Sequence, residues 1–191
     1  MKTEKALLIV FIISLIFKLM HWPGAGVLMV LSLTFLALCY FPFGFYFFSD
    51  KNFKNQKIGI SILFGWLLSI AIIGIEFKLM FWPGSQVMLL VGCMSAAVLL
   101  LAGFSLFKKS DEDLKNYHKN LFTRTVVVFV LAMICLLLPN SVLINHYYAN
   151  EPELRELYLK QQENPQDQNI QKEIQEYKAK QFEQENGNRR N

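Results

Sequence analysis

The feature that most constrains this chain is a set of long apolar runs that carry almost no charge. Residues 58–80 and 85–107 each meet the ~20 residues that a helix needs to cross the ~30 Å hydrocarbon core of a bilayer. Residues 25–45 and 125–144 also qualify, although Pro-Asn-Ser interrupts the far end of the latter. Residues 6–22 reach spanning length when His-Trp at their end lies in the headgroup region. Lipid does not tolerate open backbone, and these runs lack the alternation of barrel strands, so the pattern predicts five transmembrane helices.

Composition agrees with a membrane protein, because 53% of the 191 residues are hydrophobic and only 18% are charged. A soluble domain carries about a quarter charged residues. The predicted fold is all-α and polytopic, with two tandem helical hairpins, a fifth span and a polar tail. The predicted regions are residues 1–57 and 58–109 for the hairpins, 110–148 for a cytoplasmic loop and the fifth span, and 149–191 for the tail. The tail is expected to be disordered or to form two short helices separated near Asn164-Pro165.

Basic residues cluster in two of the predicted loops, and the positive-inside rule therefore orients the chain. The N-terminus is expected in the cytoplasm and, after five crossings, the tail in the periplasm. The net charge of +4 is spread between loops and does not suggest a nucleic-acid partner, so the expected partner is the lipid bilayer. The loop residues in question are Lys51, Lys54, Lys57, Lys108, Lys109, Lys115, Lys119 and Arg124.

A duplication is the clearest internal pattern. Phe-Lys-Leu-Met-His-Trp-Pro-Gly at 17–24 returns as Phe-Lys-Leu-Met-Phe-Trp-Pro-Gly at 77–84, a fixed spacing of 60 residues with one difference. Pro-Gly favours either a type II turn or the start of the next helix, and tryptophan prefers the membrane interface. We therefore expect two tight turns at one membrane surface, formed by Trp22, Pro23 and Gly24 and by Trp82, Pro83 and Gly84.

This turn, between two hydrophobic helices, resembles the transmembrane hairpin of the GldL family, inner-membrane proteins of the Bacteroidota gliding-motility and type IX secretion machinery. The resemblance covers residues 6–45 and again 60–107. It implies a bacterial inner-membrane location and a role in a larger assembly. In that family one hairpin joins a proton-driven motor, in which the motif lysine and a glutamate of the second helix matter. Here the hairpin is duplicated, and the place of the glutamate is taken by Leu36 and Ala96.

Charged residues inside predicted spans are candidates for function, because burying a charge in lipid is costly. Lys18 and Lys78 lie close enough to the turns to extend to the headgroups. Glu76 lies deeper, about 9 Å below Trp82 by helical rise. We expect it to be protonated or to pair with a lysine. Lys18 is the better partner, because Lys78 points away from Glu76 on the same helix.

Small residues recur along the third and fourth predicted spans and would let helices approach closely. They form stripes that serve either packing within this chain or a surface for another subunit or a second copy. The residues are Ser61, Gly65 and Ser69 on the third span, and Gly92, Ala96 and Gly103 on the fourth.

No catalytic, cofactor or metal-binding motif is recognisable, and the three cysteines lie separately inside apolar runs. The sequence therefore predicts a non-enzymatic structural or assembly subunit of the inner membrane. The first alternative is an ion-translocating or stator-like subunit that uses Lys18 and Glu76. The second is a membrane enzyme or small-solute carrier, which would need a polar cavity among Ser14, Ser32, Thr34, Ser69 and Ser95.

Overall fold

The computed structural model describes residues 2–41 and 57–188, and within these ranges the chain is entirely helical. The predicted all-α class is confirmed for this part of the chain. The helices are α1 Lys2–Leu19, α2 Ala25–Tyr40, α3 Ile58–Leu79, α4 Ser85–Lys108, α5 Glu112–Leu137, α6 Asn140–Tyr147, α7 Pro152–Glu163 and α8 Gln168–Asn188.

Three of the described helices, α3, α4 and α5, are long and apolar enough to cross a membrane. The prediction that the chain is a membrane protein agrees with this, although five such helices were expected. Helix α1 carries four charged residues, Lys2, Glu4, Lys5 and Lys18, and is therefore less apolar than a typical span. Helix α2 is apolar but only 16 residues long. The rest of the second predicted span, residues 42–45, lies outside the described residues.

The fifth apolar run is placed differently from its prediction at residues 125–144. Helix α5 begins at Glu112, well inside the predicted cytoplasmic loop, and ends at Leu137. Glu112 and Asp113 favour a helix start there, because acidic side chains stabilise the positive end of the helix dipole. The end is set by Pro139, which disfavours helical backbone at the preceding residue and cannot donate a hydrogen bond.

The chain from Met1 to Leu137 forms one compact unit in which each helix packs against the next. The closest approach joins α3 and α4. A Cβ atom on Gly92 would lie 2.7 Å from the Cα of Ala71, and one on Gly74 would lie 2.9 Å from the Cα of Leu89. Both distances are too short for any side chain, so the two backbones touch here. Some of the small-residue stripe is thus used inside this chain.

Helix α5 runs in the same direction as α3. Near the start of both helices, the hydroxyls of Ser61 and Tyr117 are 2.6 Å apart. Near the end of both helices, Cys135 lies close enough to Lys78 for the two side chains to interact electrostatically. Since α3 and α4 are joined by a short turn and pack along each other, α5 also runs opposite to α4.

Residues Leu138–Asn191 form a second compact unit. Its α7 and α8 are separated at Asn164-Pro165, as predicted, and pack against each other through Leu154, Tyr158 and Ile174, which are buried. Lys178 donates a 2.6 Å hydrogen bond to the hydroxyl of Tyr158. The ring of Tyr158 stacks on the ring of Tyr148, with 4.7 Å between their centroids. Burial, together with the neighbouring Tyr158, raises the pKa of Tyr148 well above its usual range.

Candidate functional site

The first repeated turn closes α1 with a Schellman motif. The N–H of Trp22 donates to the carbonyl of Phe17 at 2.9 Å, and the N–H of His21 donates to the carbonyl of Lys18 at 3.2 Å. His21, the residue after the last turn of α1, has the left-handed conformation that this motif requires, with a φ of 58°. The aromatic rings of Phe17 and Trp22 meet edge to face, with centroids 4.6 Å apart. The hydrophobic contact that accompanies a Schellman motif is therefore aromatic here.

The second turn, 60 residues later, has the same geometry. Trp82 donates to the carbonyl of Phe77 at 3.0 Å, and Phe81 donates to that of Lys78 at 3.3 Å. Phe81 has a φ of 55°, and the rings of Phe77 and Trp82 again meet edge to face, at 4.9 Å. The sequence repeat is thus also a repeat of backbone conformation and of aromatic contact.

The Pro-Gly pairs form type II turns, one of the two conformations considered for them. Gly24 has φ 82° and ψ −8°, and Gly84 has φ 78° and ψ 4°, close to the values for the third residue of such a turn. The N–H of Ala25 donates to the carbonyl of Trp22 at 3.4 Å, which closes the first turn. The following helices begin only after the glycines, so neither proline occupies a helical first turn.

The two tryptophans are partly exposed, Trp22 by 55% and Trp82 by 36%. An aromatic ring that packs on a neighbouring helix end while its edge stays open suits the boundary between lipid and water. Other parts of the two turns differ, because His21 is exposed whereas Phe81 is buried.

Glu76 does not form the predicted ion pair. It is 4% exposed, and the hydroxyl oxygen of Thr34 lies within hydrogen-bonding distance of both its carboxyl oxygens, at 3.0 and 3.2 Å. Among the residues that the structure describes, no ion pair joins Glu76 to Lys18 or Lys78. The reason is the packing order, since α2 lies against α3 and brings Thr34 to the face on which Glu76 lies.

The two motif lysines have different surroundings. The ammonium group of Lys18 lies 3.8 Å from the sulfur of Met80, at the end of α3. Lys78 is only 2% exposed and is an electrostatic neighbour of Cys135 on α5. Lys18 of α1 therefore lies against the end of α3, and Lys78 of α3 lies toward α5, in each case two helices further along the chain. The expected cluster of Lys18, Lys78 and Glu76 is not assembled.

A buried charged cluster that the sequence did not suggest joins α1, α2 and α5. Arg124 donates two hydrogen bonds to the carboxylate of Glu4, from Nε and from Nη2, both at 2.8 Å. The Tyr40 hydroxyl donates a further bond to the same carboxylate, at 2.6 Å. Glu4 and Tyr40 are buried, although Glu4 lies in the first turn of α1 and Arg124 was predicted to lie in a loop. Only the contact across 120 positions of sequence reveals this cluster.

Four serine hydroxyls of the apolar helices bond within their own helix. Ser14, Ser32, Ser69 and Ser95 each donate to a carbonyl three or four residues earlier, a bond that satisfies the hydroxyl locally. Of the five residues proposed to line a polar cavity, only Thr34 bonds to another helix.

The small-residue positions are all on the buried sides of their helices. Ser61 bonds to Tyr117 of α5, and Gly92 touches α3, so both serve contacts within the chain. The buried positions are Ser61, Gly65, Ser69, Gly92, Ala96 and Gly103.

Comparisons with protein-family models, curated proteins and solved structures give no match to this chain. Within the described residues, no group of three or more His, Cys, Asp or Glu side chains is arranged to hold a metal ion. The candidate site therefore rests on the two turns, the Thr34–Glu76 pair and the Glu4–Tyr40–Arg124 cluster.

Proposed function

We propose that this protein is a non-enzymatic, multi-pass subunit of the bacterial inner membrane with a structural or assembly role, related to the GldL transmembrane hairpin. The observation that carries the proposal is the pair of matching turns. Two Schellman and type II turns with the same aromatic contact occur at a spacing of 60 residues. Such a turn fixes the geometry of a helix pair and requires no chemistry, which suits a building unit of a membrane assembly.

The helix directions support a chain that crosses the membrane five times. The ends of α1 and α2 remote from the first turn meet α5 at the Glu4–Tyr40–Arg124 cluster. At the other end of the bundle, α5 is near Lys78, close to the second turn. In the proposed arrangement the charged cluster lies at the cytoplasmic boundary, both turns lie at the periplasmic boundary, and the tail leaves α5 on the periplasmic side.

The local bonding of several serine hydroxyls in the described helices makes an enzyme or a small-solute carrier a poorer account. The hydroxyls of Ser14, Ser32, Ser69 and Ser95 are bonded to the backbones of their own helices and offer a solute no ready partners. Polar side chains that do reach another helix are paired in specific contacts, as in Thr34–Glu76 and Ser61–Tyr117.

The assembly role is tested by crosslinking in native membranes, followed by purification in mild detergent. We expect components of the gliding or secretion machinery to co-purify with the chain. The turn variant Gly24→Ala should reduce this recovery more than the control Gly59→Ala, because only Gly24 has a left-handed backbone. A chain isolated without any partner after crosslinking would contradict the proposal.

The alternative of an ion-translocating subunit is favoured by one observation, the buried carboxyl group of Glu76 within an apolar helix. It predicts that Glu76→Gln abolishes a proton-dependent activity while the chain still folds and assembles. A purely structural role predicts that the same variant changes stability and leaves such an activity intact.

A further inference from the structure

Glu76 and Thr34 meet at the seam between the two repeats. Thr34 belongs to α2, the second helix of the first repeat, and Glu76 to α3, the first helix of the second. The position equivalent to Glu76 in the first repeat is Ile16, which is 47% exposed. In the second repeat α2 covers this position. The acid thus occupies a place that would face lipid if the first repeat were not packed against it.

At the seam between the repeats, Thr34 lies on the exposed side of α2. Thr34 itself is exposed, and so are its neighbours Leu31, Phe35 and Leu38 on the same helix. The hydroxyl of Thr34 therefore links a lipid-exposed helix face with the buried carboxyl group of Glu76. The hydrogen bonding between Thr34 and Glu76 involves these two side chains alone.

The two buried acids of the helical bundle have opposite surroundings. Glu4 receives two bonds from a guanidinium group and one from a phenol, all of which stabilise a carboxylate. Glu76 is hydrogen-bonded to one neutral hydroxyl, and no ion pair to it exists in the described ranges. An isolated carboxylate in an apolar medium is so costly that the group takes up a proton instead.

We propose that Glu76 is a protonated carboxylic acid which, with Thr34, forms a proton-binding site at the seam between the repeats, where only the exposed Thr34 separates the acid from the lipid. A threonine hydroxyl donates one hydrogen bond and accepts others, so it can donate to one carboxyl oxygen and accept from the protonated one. A metal cation would need more oxygen ligands than the three that this pair supplies. The proton leaves only when water or a basic group of a neighbouring subunit enters the seam.

This inference does not depend on the proposed assembly role, because it concerns a site complete within one chain. It is tested on the full chain in lipid vesicles with two carbodiimides, the apolar dicyclohexylcarbodiimide and a water-soluble analogue. The Glu76 oxygen attacks the central carbon of the reagent while the carboxyl proton moves to a reagent nitrogen. The acyl group then shifts from oxygen to the other, unprotonated nitrogen and gives a stable N-acylurea, which mass spectrometry locates by its peptide.

We expect one adduct of the apolar reagent at Glu76 and none at Glu4. The water-soluble reagent should leave Glu76 unmodified and modify the exposed Glu153 of the tail. Glu76→Gln should lose the apolar adduct, and Thr34→Val should retain it, because the acid stays buried and uncompensated. If Glu76→Gln fails to fold, the peptide map of the unaltered chain still tests the proposal, because it shows directly whether Glu76 carries the apolar adduct.

Three results would overturn the proposal. The first is no apolar adduct at Glu76, and the second is equal reaction of Glu76 with the water-soluble reagent. The third is protection of Glu76 by sodium but not by choline, which would identify a sodium site in place of a proton site.

Discussion

At the scale of single residues, the motif owes its pattern to backbone geometry. The phenylalanine and the tryptophan of each copy are the two ends of one aromatic contact across a Schellman motif. The one position that differs, His21 in place of Phe81, is the left-handed residue, whose side chain takes no part in these bonds. The sequence alone indicated a turn and an interfacial tryptophan. The contact between Phe17 and Trp22 could not be predicted, because it depends on the backbone conformation at the end of α1.

A matched pair of glycine substitutions isolates the contribution of the turn. Gly24 and Gly59 both have open space around the site of a new Cβ atom, but only Gly24 has a positive φ. Gly24→Ala should lower the free energy of unfolding by about 1 kcal/mol, whereas Gly59→Ala should be neutral or slightly stabilising. Thermal unfolding in detergent measures both, and equal effects would show that the turn conformation does not contribute.

The Glu4–Tyr40–Arg124 cluster gives a second prediction. Glu4→Gln removes the carboxylate to which the partly buried guanidinium group of Arg124 donates two hydrogen bonds, and it should cost about 3 kcal/mol. The double change Glu4→Gln with Arg124→Met should recover much of this loss. Glu156→Gln, which breaks the exposed Glu156–Lys160 pair, is the control and should leave the apparent melting temperature unchanged. A double variant as unstable as Glu4→Gln alone would contradict this account.

At the scale of helices, the long apolar runs were predictable and their ends less so. Helices α3 and α4 end within a residue of their predicted limits, because turns with proline and glycine bound them. Helix α5 starts earlier than predicted because Lys and Glu, though polar, are good helix formers and extend a span beyond its apolar part. Hydropathy alone measures only the apolar part.

The close approach of α3 and α4 gives a prediction at this scale. Gly92→Ala places a Cβ atom 2.7 Å from the backbone of Ala71, so the helices must separate, at a cost of about 1–3 kcal/mol. Gly103→Ala is the control, since its Cβ atom would meet its neighbours at 3.5 Å or more. Unfolding in detergent should show a lower melting temperature for Gly92→Ala alone. Two equal melting temperatures would mean that this contact does not hold the helices together.

At the scale of the whole molecule, the membrane class and the duplication could be predicted from sequence, while the polar contacts could not. The long apolar runs and the spacing of 60 residues are local patterns. The partner of Glu76 depends on which helix packs beside α3, and α2 supplies Thr34 where a lysine was expected. The ion pair between Glu4 and Arg124 likewise depends on how the whole bundle packs, since Glu4 is in the first helix of the bundle and Arg124 is in the last.

The duplicated helix pair requires both turns to lie at the same membrane surface. The direct measurement is labelling of single cysteines with a membrane-impermeant maleimide in intact cells, after Cys39, Cys93 and Cys135 are replaced by alanine. We expect Pro23→Cys and Pro83→Cys to be labelled from outside the inner membrane, and Lys5→Cys only after permeabilisation. If Pro23→Cys and Pro83→Cys are labelled from opposite sides, the two turns do not share a surface, and the duplicated helix pair is contradicted.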